Sequence, residues 1–168
     1  MNTLEIDKTL RNAPYAKEIY AGTFALDRLP NPLQPGRIYI FNLDNSTQDG
    51  SHWCQISSLN APFSVTFFDS FARLPPPSVI PSLLSQGRDI DYADIPLQSP
   101  LSQACGYHVL LVSLLQARGY SLSEILTKFY HASDREYLRN DALARSIISS
   151  LTSLKSRPLI DWDGLISQ

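Results

Sequence analysis

Cys105-Gly106-Tyr107-His108-Val109-Leu110-Leu111-Val112-Ser113-Leu114-Leu115 is the stretch whose reading decides the architecture. It is apolar nearly all round rather than along one stripe, which is the pattern of a helix buried on every side. Gly119 supplies its C-terminal stop. A helix of this kind sits at the centre of a core, so the segments on either side of it must supply the surfaces that cover it.

Upstream, Ile38 to Leu43 is β-rich and apolar and is followed by the polar loop Asp44 to Gly50. Two short runs, His52 to Ser57 and Ser64 to Asp69, flank the turn-like Leu59-Asn60-Ala61-Pro62 and predict a hairpin. A helix near Val79 to Ser85 should stop at Gly87, with Ile90 and Tyr92 marking one more strand, and Leu4, Ile6 and Leu10 suggest a short N-terminal helix. Downstream, Ser121 with Glu124 forms a capping box for a helix carrying Leu122, Ile125, Leu126 and Phe129. Asp141 reads as the N-cap of a last helix with Leu143, Ile147, Leu151 and Leu154 on or near one face. Strands come first and helices after, so the expected class is α+β, a small mixed sheet packed on the buried helix that starts at Cys105. The twelve prolines gather at Pro30 to Pro35 and Pro75 to Pro81, where they mark turns rather than a linker. One domain over 1–168 is expected, its tail from about 156 to 168 loosely packed.

Composition narrows the function. With 168 residues and 43% apolar side chains the chain can bury a real core. A net charge of −2, with both signs mixed and no polybasic run, gives no electrostatic footprint for nucleic acid. Met1 to Leu10 lacks a positive start and an apolar run, and no stretch approaches the roughly 18 apolar residues of a membrane span, so an intracellular monomer is expected. Two cysteines without CxxC or paired His/Cys spacing make neither a disulfide framework nor a zinc site, and no metal or cofactor is expected. At least one cysteine is left for chemistry.

If the hairpin turns about the Asn60-Ala61 bond, His52 faces Asp69, Cys54 faces Phe67 and Ile56 faces Val65. Opposite residues have Cβ atoms roughly 4.5 to 5.5 Å apart, close enough for a carboxylate to accept from an imidazole N–H. Cys54, Ile56, Val65 and Phe67 then share an apolar face with the pair. Cys105 opens the buried helix, where the macrodipole and a neighbouring imidazolium favour the thiolate. Gly106 would let a substrate carbonyl approach the backbone, and the Cys105 N–H could donate to a developing oxyanion. A second donor would be an amide side chain a few residues upstream: Gln98 is placed for it, and Gln103 is a nearer competitor.

Gln98-Ser99-Pro100-Leu101-Ser102-Gln103-Ala104-Cys105-Gly106 resembles the Gln-x-Pro-x-Ser-x-Ala-Cys-Gly signature of the adenovirus maturation protease. Gly50-Ser51-His52-Trp53 is similar to that family's Gly-x-His-Trp, and Phe68-Asp69-Ser70-Phe71 to its acid-bearing strand at the same spacing from the histidine. Tyr20-Ala21-Gly22-Thr23-Phe24, followed by Asp27-Arg28, is similar to its N-terminal Gly-Thr-Tyr segment. The order His, acid, Gln, Cys is shared with the SUMO-deconjugating proteases, whose papain-like site has its elements permuted. The resemblance, which runs from about Tyr15 to Leu154, implies a cysteine endopeptidase in which Cys105 attacks, His52 acts as base and acid, Asp69 orients His52, and Gln98 rather than Gln103 donates to the oxyanion. Trp53, on the face opposite His52, reads either as ordinary core or as a wall of the substrate cleft. The resemblance also implies a narrow cleft that favours Gly and other small residues, and viral precursor proteins as substrates, cleaved in the virion and the infected host cell.

There are departures from that family. Asp69 stands where the adenovirus enzyme has Glu, matching instead the SUMO-deconjugating relatives. Ser85 to Leu97 holds no cysteine for a disulfide-linked peptide activator, the charge balance lacks the basic excess that a DNA cofactor needs, and the C-terminus is shorter. A peptide activator would have to bind without that disulfide. Other readings are a deconjugase of SUMO or a related tag, an acyltransferase on the same fold, and a silent binding domain, for which an intact four-residue set has no use. Cys54 reads as packing, with a disulfide to Cys105 as the alternative, and His108 and His131 read as structural.

Overall fold

The computed structural model describes residues 1–129 and 134–153, so His131, Leu154 and the tail at 156–168 lie outside the described residues. In chain order come α1 (Thr3–Asn12), β1 (Tyr20–Ala25), a 3-10 turn (Leu26–Arg28), β2 (Ile38–Asn42), β3 (Trp53–Ser57), β4 (Ser64–Asp69), α2 (Ile80–Leu84), β5 (Asp89–Tyr92), α3 (Cys105–Gln116), α4 (Leu122–Leu126) and α5 (Asp134–Ser153). The α+β expectation holds: five strands form one mixed sheet in the order β1-β2-β3-β4-β5. The two outer pairs are parallel and the two inner pairs antiparallel.

Every residue of β2 and β3 is buried, because the sheet is covered on both faces. Alternation along the strands divides them between two cores. Ile38, Ile40, Trp53 and Phe68 pack with α3 and, beyond it, with Ile147 and Ile148 of α5. Tyr39, Phe41, Cys54, Ile56, Val65 and Phe67 form the second core beneath Leu33, Val79 and Leu83. From Val109 to Leu115 no side chain of α3 is more than 6% exposed, as its all-round apolar pattern predicts, and Gly119 beyond it takes a positive φ of +97°. A polar pin fixes the helix to the sheet: Gln55 Nε2 donates to Ser113 Oγ (3.2 Å) and to Gln116 Oε1 (2.7 Å).

The hairpin forms, but two residues away from the expected register. Cys54 faces Asp69 and Ile56 faces Phe67, so the turn lies past Ala61, at the Ala61-Pro62 bond. An even shift leaves each side chain on its face, which is why Cys54, Ile56, Val65 and Phe67 still share one core. His52 now precedes β3 and meets Asp69 diagonally rather than straight across.

Asp141 does not cap a helix. α5 starts at Asp134, and Asp141 lies buried within it, turned toward His108 on α3. Its capping chemistry is taken up by a tertiary partner. Ile147 is buried and Leu143 partly so, with Ala144 and Ile148 sharing the face. The Ser121–Glu124 capping box is present on α4, with Phe129 buried beyond the helix end. α1 buries Ile6 and Leu10 but leaves Leu4 79% exposed. β1 is a strand that the sequence pattern did not reveal: it is an edge strand, bulged between Tyr20 and Gly22 and only partly buried, so its alternation is weak.

If α3 is the centre of the fold, Leu111→Ala, at a fully buried position, should lower stability by about 2–5 kcal/mol. Denaturant unfolding measures this, and a loss below about 1 kcal/mol would place the centre of the core elsewhere.

Candidate active site

The end of the sheet and the start of the buried helix converge on one cleft, lined by His52, Trp53, Phe71, Gln98, Gln103 and Cys105. Cys105 is the first residue of α3, preceded by Ala104, whose side chain makes no cap. His52 and the backbone N–H groups of Trp53 and Gly106 lie near enough to the thiol to favour its thiolate. His52 Nε2 in turn donates to Asp69 Oδ1 at 2.9 Å. Asp69 Oδ1 also accepts the Phe71 N–H (2.7 Å), and Oδ2 accepts the Cys54 thiol (3.5 Å). His52 and Asp69, read from the sequence as a set with Cys105, are thus joined directly, and Cys105 lines the same cleft as His52.

Other residues hold the imidazole in place. Its ring stacks on Phe71, with centroids 5.0 Å apart and 24° between planes, and the Arg73 guanidinium lies 5.0 Å from the centre of the Phe71 ring. Ahead of His52, Asn42 Oδ1 accepts the N–H groups of Asp44 and Ser51, and His52 O accepts Leu43 N–H. Gly50 in this loop has φ +87°, and a Cβ there would lie 3.0 Å from Asn42 Nδ2, so backbone and space both call for glycine.

Burial acts first on each titrating group and is then outweighed. It pushes the His52 pKa down, but the hydrogen bonds to Asp69 and Cys105 and the charges of both carry it up to about 9. It pushes the Cys105 pKa up, but the His52 hydrogen bond, the Trp53 and Gly106 N–H groups and the imidazolium charge bring it below the ordinary thiol range. The two shifts act in the same sense, favouring the thiolate and the imidazolium over the neutral thiol and imidazole. Cys54 behaves oppositely: burial and the Asp69 carboxylate hold its thiol well above its usual range. Both cysteines are free thiols, and Cys54 packs in the second core.

Gln98 is 1% exposed and held at both ends of its amide: Oε1 accepts Ser70 Oγ–H (2.6 Å) and Nε2 donates to Ser102 O (2.8 Å). An amide nitrogen carries two N–H bonds, so one remains beyond that to Ser102. Gln103 also lines the cleft, but is exposed. Trp53 is 9% exposed and donates its indole N–H to the backbone carbonyl of Met1 (3.1 Å). Gly106 touches the same residue, since a Cβ there would come within 2.9 Å of Met1 Cβ. Asn42, Ser70, Phe71 and Met1 were not singled out by the sequence. For Ser70 and Phe71 the available signal was adjacency to the acid in Phe68-Asp69-Ser70-Phe71; Asn42 and Met1 carry none.

His52, Cys54 and Asp69 bring donor atoms within 4.8 Å of one another. An ion there would have to break the His52–Asp69 bond and deprotonate a thiol that burial keeps protonated. Among the described residues no helix is long and apolar enough to cross a membrane.

No family model matches the chain, and no curated protein does. Among solved structures, the chain is similar to the ASFV pS273R protease in its native and selenomethionine crystals: TM-score 0.54 and 18% identity in each, over 83% and 84% of this chain. The chain spans 65% and 66% of the length of that protease in the two crystals. The SUMO protease Ulp1, with its catalytic cysteine oxidised to a sulfinic acid, matches at TM-score 0.47 and 16% identity over 90% of this chain and 78% of its own. The likeness to the pS273R protease gives the chain the fold of a cysteine protease.

The pair sets the pH dependence of alkylation. Attack needs thiolate, so iodoacetamide should label Cys105 ahead of Cys54, with a rate that rises through a midpoint below the ordinary thiol range. His52→Ala should move that midpoint up toward an ordinary thiol. An unchanged midpoint, or preferential labelling of Cys54, would contradict the pairing.

Proposed function

We propose that this chain is a cysteine endopeptidase of the adenovirus-protease type, acting on viral precursor proteins at sites with Gly or another small residue beside the cut. The observation that carries the reading is the buried His52–Asp69 hydrogen bond in one cleft with the Cys105 thiol at the start of α3, together with a buried amide, Gln98, lining the same cleft. The residue pattern Gln98 to Gly106 supports the narrower assignment.

In this mechanism the Cys105 thiolate adds to the scissile carbonyl carbon, and the carbonyl oxygen takes up the negative charge. The remaining Gln98 N–H and the Cys105 backbone N–H stabilise that oxyanion. His52, protonated because its pKa lies near 9, gives a proton to the departing amine as the C–N bond breaks, leaving a thioester. His52 then takes a proton from water, which attacks the thioester, releases the acid and restores the thiolate. Asp69 accepts from His52 throughout and holds the ring with its other nitrogen toward sulfur. Trp53 lines the cleft, and its indole N–H, already holding a peptide carbonyl in the Met1 contact, can hold the substrate backbone. A side chain beside the cut would crowd Trp53 and Gly106, which favours glycine.

The reading is tested on purified protein with a peptide library beside probes carrying folded ubiquitin-like tags. Cleavage of short Gly-containing peptides without tag preference is expected, while strict dependence on a folded tag would make the chain a deconjugase. Cys105→Ala should abolish hydrolysis and leave melting nearly unchanged, and wild-type turnover in that variant would overturn the assignment. Gln98→Ala should lower kcat roughly a hundredfold while Gln103→Ala does little. The reverse pattern would transfer the donor role to Gln103. Asp69→Asn should lower kcat more than it raises KM, with Asp69→Glu milder. Equal activity of wild type and Asp69→Asn would remove Asp69 from the mechanism.

A further inference from the structure

His108 and Asp141 form a second buried histidine–carboxylate pair, apart from the cleft, that the mechanism above does not use. His108 Nε2 donates to Asp141 Oδ1 at 2.8 Å, and the two residues are 0% and 4% exposed. The other carboxylate oxygen, Oδ2, accepts the backbone N–H of Ser99 (3.3 Å). The neighbouring Asn140 donates Nδ2 to the backbone carbonyl of Leu97 (3.1 Å). Leu97 and Ser99 are the two residues that flank Gln98.

From the sheet side, Ser70 O accepts the N–H groups of both Leu97 (2.9 Å) and Gln98 (3.0 Å). The backbone on either side of Gln98 is thus held from two directions, by the residue after Asp69 and by α5. The α5 hold runs on through Asp141 to His108, which is three positions along α3 from Cys105. His108 Nδ1 is buried without a hydrogen-bond partner. An arrangement selected for stability alone has little reason to bury a polar trio and leave one atom unpaired, where apolar packing of α3 on α5 would serve.

We infer that His108, Asp141 and Asn140 are positioning residues for the transition state: they tie the loop bearing Gln98 to the helix bearing Cys105, and so fix the oxyanion donor relative to the nucleophile. The inference rests on the proposed donor role of Gln98. An oxyanion donor is useful only within a few tenths of an ångström of the place where charge develops. A loop and a helix start can hold that spacing only if something joins them. The Asp141 carboxylate does so, with one oxygen on each.

A double-mutant cycle between Asp141 and Gln98 tests this, read as kcat and KM on a peptide substrate beside the iodoacetamide alkylation rate of Cys105. Alkylation needs the thiolate but makes no oxyanion. Asp141→Asn keeps the size of the side chain but loses the charged acceptor, and should lower kcat about tenfold with KM and the alkylation rate within about twofold of wild type. In a Gln98→Ala background the same substitution should cost less than about twofold, because the donor it positions is gone. A full tenfold loss in that background, or a parallel fall in alkylation, would mean that the pair acts on the fold as a whole and would overturn the inference. So would unchanged kcat in Asp141→Asn. Should Asp141→Asn not fold, Asn140→Ala, which deletes one bond to Leu97 O, is put through the same cycle and judged by the same outcomes. The underlying reading fails separately: wild-type kcat in Gln98→Ala removes the donor itself, whereas loss in Gln98→Ala with none in Asp141→Asn removes the brace alone.

Discussion

The hydrogen bond between His52 and Asp69 is the constraint around which the site is built. A carboxylate at 1% exposure is costly unless its oxygens are satisfied, and Asp69 meets that demand with the imidazole, the Phe71 N–H and the Cys54 thiol. The bond orients the imidazole, which lines one cleft with the sulfur at the start of α3. For the sulfur to be there, α3 must run through the core with its N-terminus at the end of the sheet. The Gln55 pin and the burial of α3 on all sides hold it in that place.

The two cysteines show how far surroundings decide chemistry. Cys54 lies against Asp69 and Cys105 near His52, and their thiols are driven in opposite directions. Burial raises both. Cys54 faces a carboxylate, which adds to the rise, whereas Cys105 faces an imidazole and two backbone N–H groups, which together outweigh burial. Cys54 is thus a protonated donor that supports Asp69, and Cys105 is the thiol proposed as nucleophile.

Much of this was legible in the sequence, and what was not has physical reasons. An all-round apolar run can only be a central helix, and α3 is one. Alternation assigned Cys54, Ile56, Val65 and Phe67 to one face correctly even though the register was wrong by two, because alternation reports parity and not offset. The turn at Ala61-Pro62 decided the offset, and several turns fit that sequence. β1 escaped because a bulged edge strand has little alternation to read. Asp141 was misread because a short acidic side chain suits a helix start and a buried histidine equally well, and the partner that settles the choice lies 33 positions away. The bonds from Ser70 to Gln98 and from Asn140 to the neighbouring Leu97 are long-range in the same sense. Pattern along a chain finds which residues react more readily than which residues hold them.

If Cys105, activated by His52 and Asp69, is the nucleophile proposed above, a covalent acyl-enzyme forms on it. The most direct measurement is to mix the protein with an activated peptide ester ending in glycine, quench in acid within the first turnover, and locate the adduct by intact and peptide mass spectrometry. The account predicts one thioester on the peptide containing Cys105, accumulating when deacylation is slower than acylation and absent in Cys105→Ala. An adduct on Cys54, or ester turnover that persists in Cys105→Ala, would contradict it.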